Sequence, residues 1–241
     1  MKDDQKGTIH PLTLLADEAY SVFSSLGFEI TNAPELETEW YNFDALNVPK
    51  DHPARDMQDT FYIKNKPEHV LRTHATNTTA RVLERIAKEG LKEFASISIG
   101  KVFRNEATDA THEMQFFQID GCMLGENISL ASMKAVLIEF YKKVLGENAE
   151  IEFRPSFFPF TEPSVEVHAK FNLPTGQAGG KWLEMMGGGM IHPNVLRNAG
   201  LDPEKIQGFA FGGGLDRIAM IKWSIPDVRL FYQGDLRLNQ F

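Results

Sequence analysis

The sequence predicts an α+β domain in which an antiparallel sheet is flanked by helices. Two patterns carry that reading. Strand-like runs follow one another through the centre and the C-terminal half, and helical segments do not alternate with them one for one, as a doubly wound parallel sheet requires. The clearest pair of runs, Ile97–Phe103 and Phe116–Asp120, is joined by a polar loop rather than a crossover helix, which is the pattern of antiparallel neighbours.

The elements follow in order. After Pro11, residues Leu12, Leu15, Ala19, Val22, Phe23 and Leu26 recur at helical spacing, and Gly27 supplies the stop. Phe28–Thr31 reads as a short strand ending before Pro34. From Asn42 to Asp59 the chain is loop-like, with Pro49, Pro53 and mixed charges. A strand pair around Phe61–Ile63 and His69–Thr73 precedes a helix at Thr79–Lys88, capped by Gly90. Ser129 is a good N-cap for a helix whose apolar face is Leu130, Met133, Leu137, Phe140, Tyr141 and Val144, ending at Gly146. Strands are expected near Ile151–Arg154, Ser164–Phe171 and Lys181–Met186. A last strand, Gly208–Phe211, feeds through Gly212-Gly213-Gly214 into a helix at Leu215–Lys222.

Composition narrows the class. With 241 residues, 42% hydrophobic and 24% charged, the chain can bury a substantial core, and its 18 Phe rule out a disordered protein. It reads as one domain, residues 10–241, behind a short tail at 1–9. No apolar run approaches a membrane span, and the first residues lack the apolar stretch of a signal peptide. Cys122 is the only cysteine, so no internal disulfide forms, and a reducing, cytoplasmic setting is expected. The net charge of −8 and the lack of any basic block exclude a polybasic nucleic-acid arm. A phosphate ligand would therefore be held by a few placed arginines and backbone amides.

Two segments carry chemistry. In the first, Phe103-Arg104-Asn105-Glu106 leads through a loop with His112 into Phe116-Phe117-Gln118-Ile119-Asp120. Alternation along a hairpin would set Arg104, Glu106, Gln118 and Asp120 on one face as a polar floor. A guanidinium fork suits phosphate, a carboxylate accepts from an exocyclic amine, and Phe116 can stack on a base. A hairpin with ordinary surface ion pairs is the competing account. The second segment is Gly212-Gly213-Gly214-Leu215-Asp216-Arg217. Glycines at a strand-to-helix junction allow close backbone approach, and the helix N-terminus favours an anion that Arg217 could also reach. It lacks the Lys-Ser/Thr ending of a P-loop and the third glycine of a dinucleotide fingerprint. Taken alone, it reads as a tight turn.

Together these features resemble the class II aminoacyl-tRNA synthetases: a strand with Pro34, then Phe-Arg-x-Glu, then Gly-x-Gly-x-x-Arg near the C-terminus. The resemblance narrows to the bacterial phenylalanyl-tRNA synthetase alpha-subunit family. It rests on Leu46-Asn47-Val48-Pro49, His52–Phe61, Arg72-Thr73-His74, Arg154–Pro163, Gly208–Gly212, Asp227–Phe231 and Asp235-Leu236-Arg237, and spans about His10 to Phe241.

What the resemblance implies can be stated by residue. The fold would be an antiparallel sheet binding ATP with Mg2+. Arg104 would hold the α-phosphate and stabilise the charge that develops as the amino-acid carboxylate attacks. Glu106 would read the adenine amino group, Phe116 and Arg217 would sandwich the base, and His112 would sit near the pyrophosphate. Gly212 and Gly214 would line the nucleotide, and Glu184 is the candidate Mg2+ ligand, with a plain surface carboxylate as the alternative. Phe158 and Phe160 would meet the ring of phenylalanine, and Ala210 would border its para position, unless the two phenylalanines are simply core. His74, Thr76, Gln118 and Asp120 would hold the ammonium and carboxylate ends. The implied partners are ATP, phenylalanine, tRNA, and either a synthetase beta subunit or a second copy of the chain, with no membrane.

The sequence departs from the family in three places. After His74 the family usually has Thr-Ser-Pro-x-Gln, where this chain has Ala75-Thr76-Asn77-Thr78-Thr79. Asp120 stands where glutamate is usual, so the resemblance implies a looser or shifted ammonium site. The sequence starts almost directly at the catalytic region, without the helical coiled-coil extension usual in the family, so the chain is expected to be either a truncated or engineered form or a naturally minimal protein.

Metal and nucleophile chemistry find little support. His112-Glu113 does not begin His-Glu-x-x-His, and no histidines fall at i, i+4. Cys122 reads as a buried strand residue. The expected function is activation of phenylalanine to its adenylate and transfer to tRNA. The alternatives are a stand-alone or minimal amino-acid activating enzyme, and a catalytically silent binding module.

Overall fold

The computed structural model describes residues 7–171 and 180–239, with the side chains of 237 and 239 left aside; residues 1–6 of the expected tail lie outside the described residues. In chain order the elements are α1 (Pro11–Ser25), β1 (Glu29–Ile30), β2 (Leu36–Thr38), α2 (Glu39–Asn42), β3 (His69–Leu71), α3 (Asn77–Glu89), β4 (Phe94–Phe103), β5 (Gln115–Gly125), α4 (Leu130–Leu145), β6 (Glu150–Phe158), β7 (Thr161–Lys170), β8 (Leu183–Ile191), α5 (Pro193–Asn198), β9 (Gln207–Gly214) and α6 (Leu215–Trp223). Seven strands form one sheet in the order β1-β4-β5-β9-β8-β7-β6, and β2 and β3 form a separate ribbon. Every pairing in the large sheet is antiparallel except β1 with β4. The expected α+β class and antiparallel sheet are what the chain forms, with one parallel strand at the edge.

Strand alternation divides the molecule. Along β5, Phe117, Ile119 and Met123 join a core with α1, α4 and α6, built around Leu15, Phe23, Leu137, Phe140, Phe209 and Phe211. Cys122 and Leu124 project to the other face, where they meet α3 through Val82, Leu83 and Ile86, with Ala210 of β9. Gln118 and Asp120 have the same parity as Cys122, so they also leave the first core and face the second side. That parity supplies the polar floor.

The helices form for local reasons. Pro11 opens α1, and the Leu12 N–H donates to His10 Nδ1 at 3.2 Å. Ser129 and Ser132 make a reciprocal capping box at α4. Gly90 closes α3 in the left-handed region at φ 67°.

Several expectations are corrected. Gly212, Gly213 and Gly214 are the last residues of β9 rather than a turn: Gly212 pairs with Asp120 and Gly214 with Gln118. A β-carbon at Gly213 would lie 2.5 Å from the Met186 β-carbon, so the glycine permits close strand packing rather than a bend. Arg104 and Glu106 lie past the end of β4 and do not share the strict alternation of Gln118 and Asp120. Phe61–Ile63 is not a strand; Tyr62 makes a single bridge to Val70, and the partner of β3 is β2. The 42–59 stretch holds two 3-10 turns, Asp44–Leu46 and Pro53–Arg55. The short helices α2 and α5 have too few residues for a periodic signal. Among the described residues, no helix is long and apolar enough to cross a membrane.

Candidate active site

The open side of the sheet holds a cavity of about 540 Å³, bounded by β5, β8 and β9, the segment before α3, and the β6–β7 turn. It collects nearly every residue singled out in the sequence. Arg104, His112, Phe116, Gly214 and Arg217 line one part. His74, Thr76, Gln118 and Asp120 line its floor, with Gly212 between the two parts. Phe158, Phe160 and Ala210 form an apolar region, and Glu184 also lines the cavity. Glu106 alone lies outside it. It lines an adjoining cavity of about 230 Å³, which shares Arg104, His112, Phe116, Gly214 and Arg217 with the first.

Arg104 is fixed on one edge and open on the other. Its Nε donates to the Thr73 carbonyl at 3.2 Å, its guanidinium carbon lies 5.0 Å from the Phe116 ring centroid, and Nη1 is 3.8 Å from Glu106. Arg217, on the first turn of α6, donates from Nε to the Glu184 carbonyl at 2.6 Å. Two guanidinium groups 113 positions apart in the chain thus line one cavity. No carboxylate neutralises Arg217 among the described residues, so the region favours a polyanion. His112 sits exposed at the rim, where it pairs with Asp109 at 3.0 Å.

The floor is buried and polar. Asp120 is 2% exposed; Thr76 Oγ1 donates to its Oδ2 and Thr79 Oγ1 to its Oδ1, both at 2.8 Å. Burial pushes the Asp120 carboxyl up to about 7 against those two hydroxyls and the charge of Arg72. Gln118 Oε1 accepts from the Ala75 N–H at 2.9 Å, which anchors the side chain against the segment before α3. Burial, with help from the Arg104 charge, pushes His74 down to about 4, so its imidazole is neutral near pH 7. Among the described residues its Nδ1 makes no regular hydrogen bond.

The apolar region is ordered by glycine. The Phe158 and Phe160 rings are nearly parallel, 9° apart, with centroids at 5.9 Å. Gly187 lies under Phe158, whose Cζ would be 2.5 Å from a β-carbon there. Ala210 pairs with Cys122 on one side and Gly189 on the other, so its methyl projects to the cavity side of the sheet.

Glu184 is exposed and stands without a cage: among the described residues, no three His, Cys, Asp or Glu side chains gather as a metal site. A single rim carboxylate suits Mg2+ that arrives on phosphates and keeps most of its waters.

Two roles escape local reading. Thr79 marks a missing glutamine in the sequence, yet it is a hydrogen-bond donor to the floor carboxylate. Asp216 is 3% exposed and accepts the Phe117 N–H at 2.7 Å, with Tyr232 on its other oxygen. An acid on the first turn of a helix suits that helix's own N-terminus, but neither the contact with Phe117 nor that with Tyr232 has a local signal.

Comparison with known proteins gives concordant results. The family described as "tRNA synthetases class II core domain (F)" matches residues 1–241. Curated relatives include the phenylalanine–tRNA ligase alpha subunit of Bacillus mycoides (strain KBAB4), 47% identical over 243 residues, covering 98% of this chain and 70% of the relative. The protein of the same name from Anoxybacillus flavithermus (strain DSM 21510 / WK1) is 49% identical over the same shares of both chains.

Proposed function

The chain belongs to the class II tRNA synthetase core-domain family, with the phenylalanine–tRNA ligase alpha subunits as its relatives, and from that premise we propose that it activates phenylalanine with ATP and passes the aminoacyl group to tRNA. It is a ligase, and ATP is its substrate. The observation that carries the site reading is the meeting of Arg104 and Arg217 in the cavity that also holds Phe158, Phe160 and Ala210.

In this reading adenine lies against Phe116, with Arg217 on its other face and Glu106 accepting from the exocyclic amine. Arg104 binds the α-phosphate. The phenylalanine carboxylate attacks the α-phosphorus, a new P–O bond forms, and the bond to pyrophosphate breaks. Arg104 stabilises the extra charge on the equatorial oxygens, an effect that removal of one such donor typically shows as about a 10²–10³-fold loss. Neutral His74 and the Gln118 amide orient the amino acid. Its ammonium group faces Asp120, and its ring fills the space beside Phe158, Phe160 and Ala210. His112 stands at the exit for pyrophosphate. Mg2+ would enter with ATP, and Glu184 would be its protein ligand. The partners in this reading are tRNA and a synthetase beta subunit.

The test is ATP–pyrophosphate exchange with each amino acid in turn. Exchange with phenylalanine supports the proposal. Exchange with a different amino acid would move the specificity, and the Thr76–Asp120–Thr79 arrangement is where such a shift would originate. No exchange with any amino acid, with or without a beta subunit, would overturn activation as the function.

A further inference from the structure

Strand pairing between β5 and β9 ends at Gln118 and Gly214. Beyond that point β9 turns into α6, and the Phe117 N–H on β5 is taken by the Asp216 carboxylate, Oδ2 accepting at 2.7 Å. The side chain thus substitutes for a strand carbonyl on the β9 side of β5, one residue from Phe116, while on the other side the pairing with β4 continues to Gln115. Its Oδ1 accepts from the Tyr232 hydroxyl. Among the described residues no cation pairs with Asp216, so these two donors and its own backbone carry its satisfaction.

Tyr232 closes a segment that also reaches the nucleotide side by a second route. In the 3-10 turn Val228–Phe231, the Val228 N–H donates to the Ala110 carbonyl at 2.9 Å, within the loop between β4 and β5. Val228 and Asp216 both line the 230 Å³ cavity with Glu106, Phe116 and Arg217. The segment therefore ties together the loop, the end of β5 and the first turn of α6.

We infer that Asp216 and Tyr232 are positioning residues for the nucleotide: they hold Phe116 through the Phe117 amide and Arg217 through the first turn of α6, and leave the amino-acid side untouched. This rests on the function proposed above. Asp216 lies next to Arg217 in sequence, so any tilt of that turn moves the guanidinium directly. The amino-acid floor is held separately, by Thr76, Thr79 and Gln118.

The experiment uses the full chain, with Tyr232→Phe, Asp216→Ala and Asp216→Asn in pyrophosphate exchange, varying ATP and phenylalanine separately, alongside thermal melts. Tyr232→Phe should raise KM for ATP about tenfold, as expected for a lost buried hydrogen bond, and leave KM for phenylalanine within about twofold. Asp216→Ala should raise it further. Asp216→Asn keeps an acceptor oxygen for the Phe117 N–H and should recover most of the loss. A merely structural role would move both KM values together or change only the melt. Either result, or an unchanged KM for ATP in Tyr232→Phe, overturns the inference. If Asp216→Ala does not fold, Tyr232→Phe decides, since it deletes only a hydroxyl. A wild-type chain without exchange would overturn the proposed function and this inference with it; wild-type exchange with unsplit variants overturns this inference alone.

Discussion

Gly100 faces the Arg72 guanidinium so closely that a β-carbon there would lie 2.0 Å from Nη2. Arg72 is 2% exposed, and its Nε and Nη1 donate to the carbonyls of Lys101 at 2.6 Å and Ala33 at 3.0 Å. The backbone at Arg72 also exchanges bonds with Glu35 and Phe103. One buried cation thereby ties β4 and the segment before β2 to the chain that continues into Thr73 and His74. Gly100→Ala should therefore overpack the site and cost about 1–3 kcal/mol or more. Thermal unfolding should show Tm lowered by roughly 2–4 °C per kcal/mol lost for a chain of this size; an unchanged Tm would mean that Arg72 can move aside.

Gly187→Ala addresses the other close approach. The new methyl group would collide with the Phe158 ring at 2.5 Å and push it into the cavity. KM for phenylalanine should rise about tenfold, with KM for ATP near the wild-type value, a ratio worth roughly 1.4 kcal/mol. Equal KM values in variant and wild type would show that Phe158 does not shape the pocket.

Asp120 predicts a pH dependence. Its carboxyl is raised to about 7 by burial, from an ordinary 3.8, with Cys122 and Arg72 as neighbouring titratable groups. The folded state thus holds this proton more tightly than the unfolded chain does. The stability this contributes is fully present below about pH 4 and is lost as pH rises through about 7. Asp120→Asn should flatten that part of the Tm profile. The ammonium of a bound amino acid favours the ionised form, so KM for phenylalanine should fall as pH approaches and passes 7. A KM that is flat from pH 6 to 8 would remove Asp120 from ammonium recognition.

Ala210→Gly should admit para-substituted phenylalanines. Ala210 is 6% exposed and lines the cavity between two paired strands, so only its methyl is lost. Exchange with para-halogenated phenylalanine should increase at least about tenfold over wild type, consistent with the 1–3 kcal/mol that one hydrophobic group contributes to discrimination. Unchanged selectivity would place the para position elsewhere.

Arg104→Ala should lower exchange by about 10²–10³-fold. The guanidinium is partly exposed and makes one bond to the Thr73 carbonyl, so the fold should hold and Tm should change little. Surviving activity would displace Arg104 from the α-phosphate.

Much of this was legible locally. The periodicity of Leu12, Leu15, Ala19 and Phe23 and the cap at Ser129 are properties of neighbours in the chain, so α1 and α4 were readable to within a few residues. The hairpin of β4 and β5 was readable from alternation and a polar loop, and the family likeness followed from contiguous motifs. The triglycine run misled because glycine permits both a turn and a close strand, and only the nearness of Met186 selects between them.

By itself, then, the amino-acid order determined the α+β class, the main helices, the family and most of the residues that line the cavity, though it also put Glu106 there. Tertiary structure alone decided that β2 pairs with β3, that Asp120 is clamped between two threonines at a raised pKa, and that Tyr232 reaches Asp216. These depend on burial and on contacts between distant segments. Neither has a signature in a short window, because desolvation and strand register are set by what the rest of the chain packs alongside.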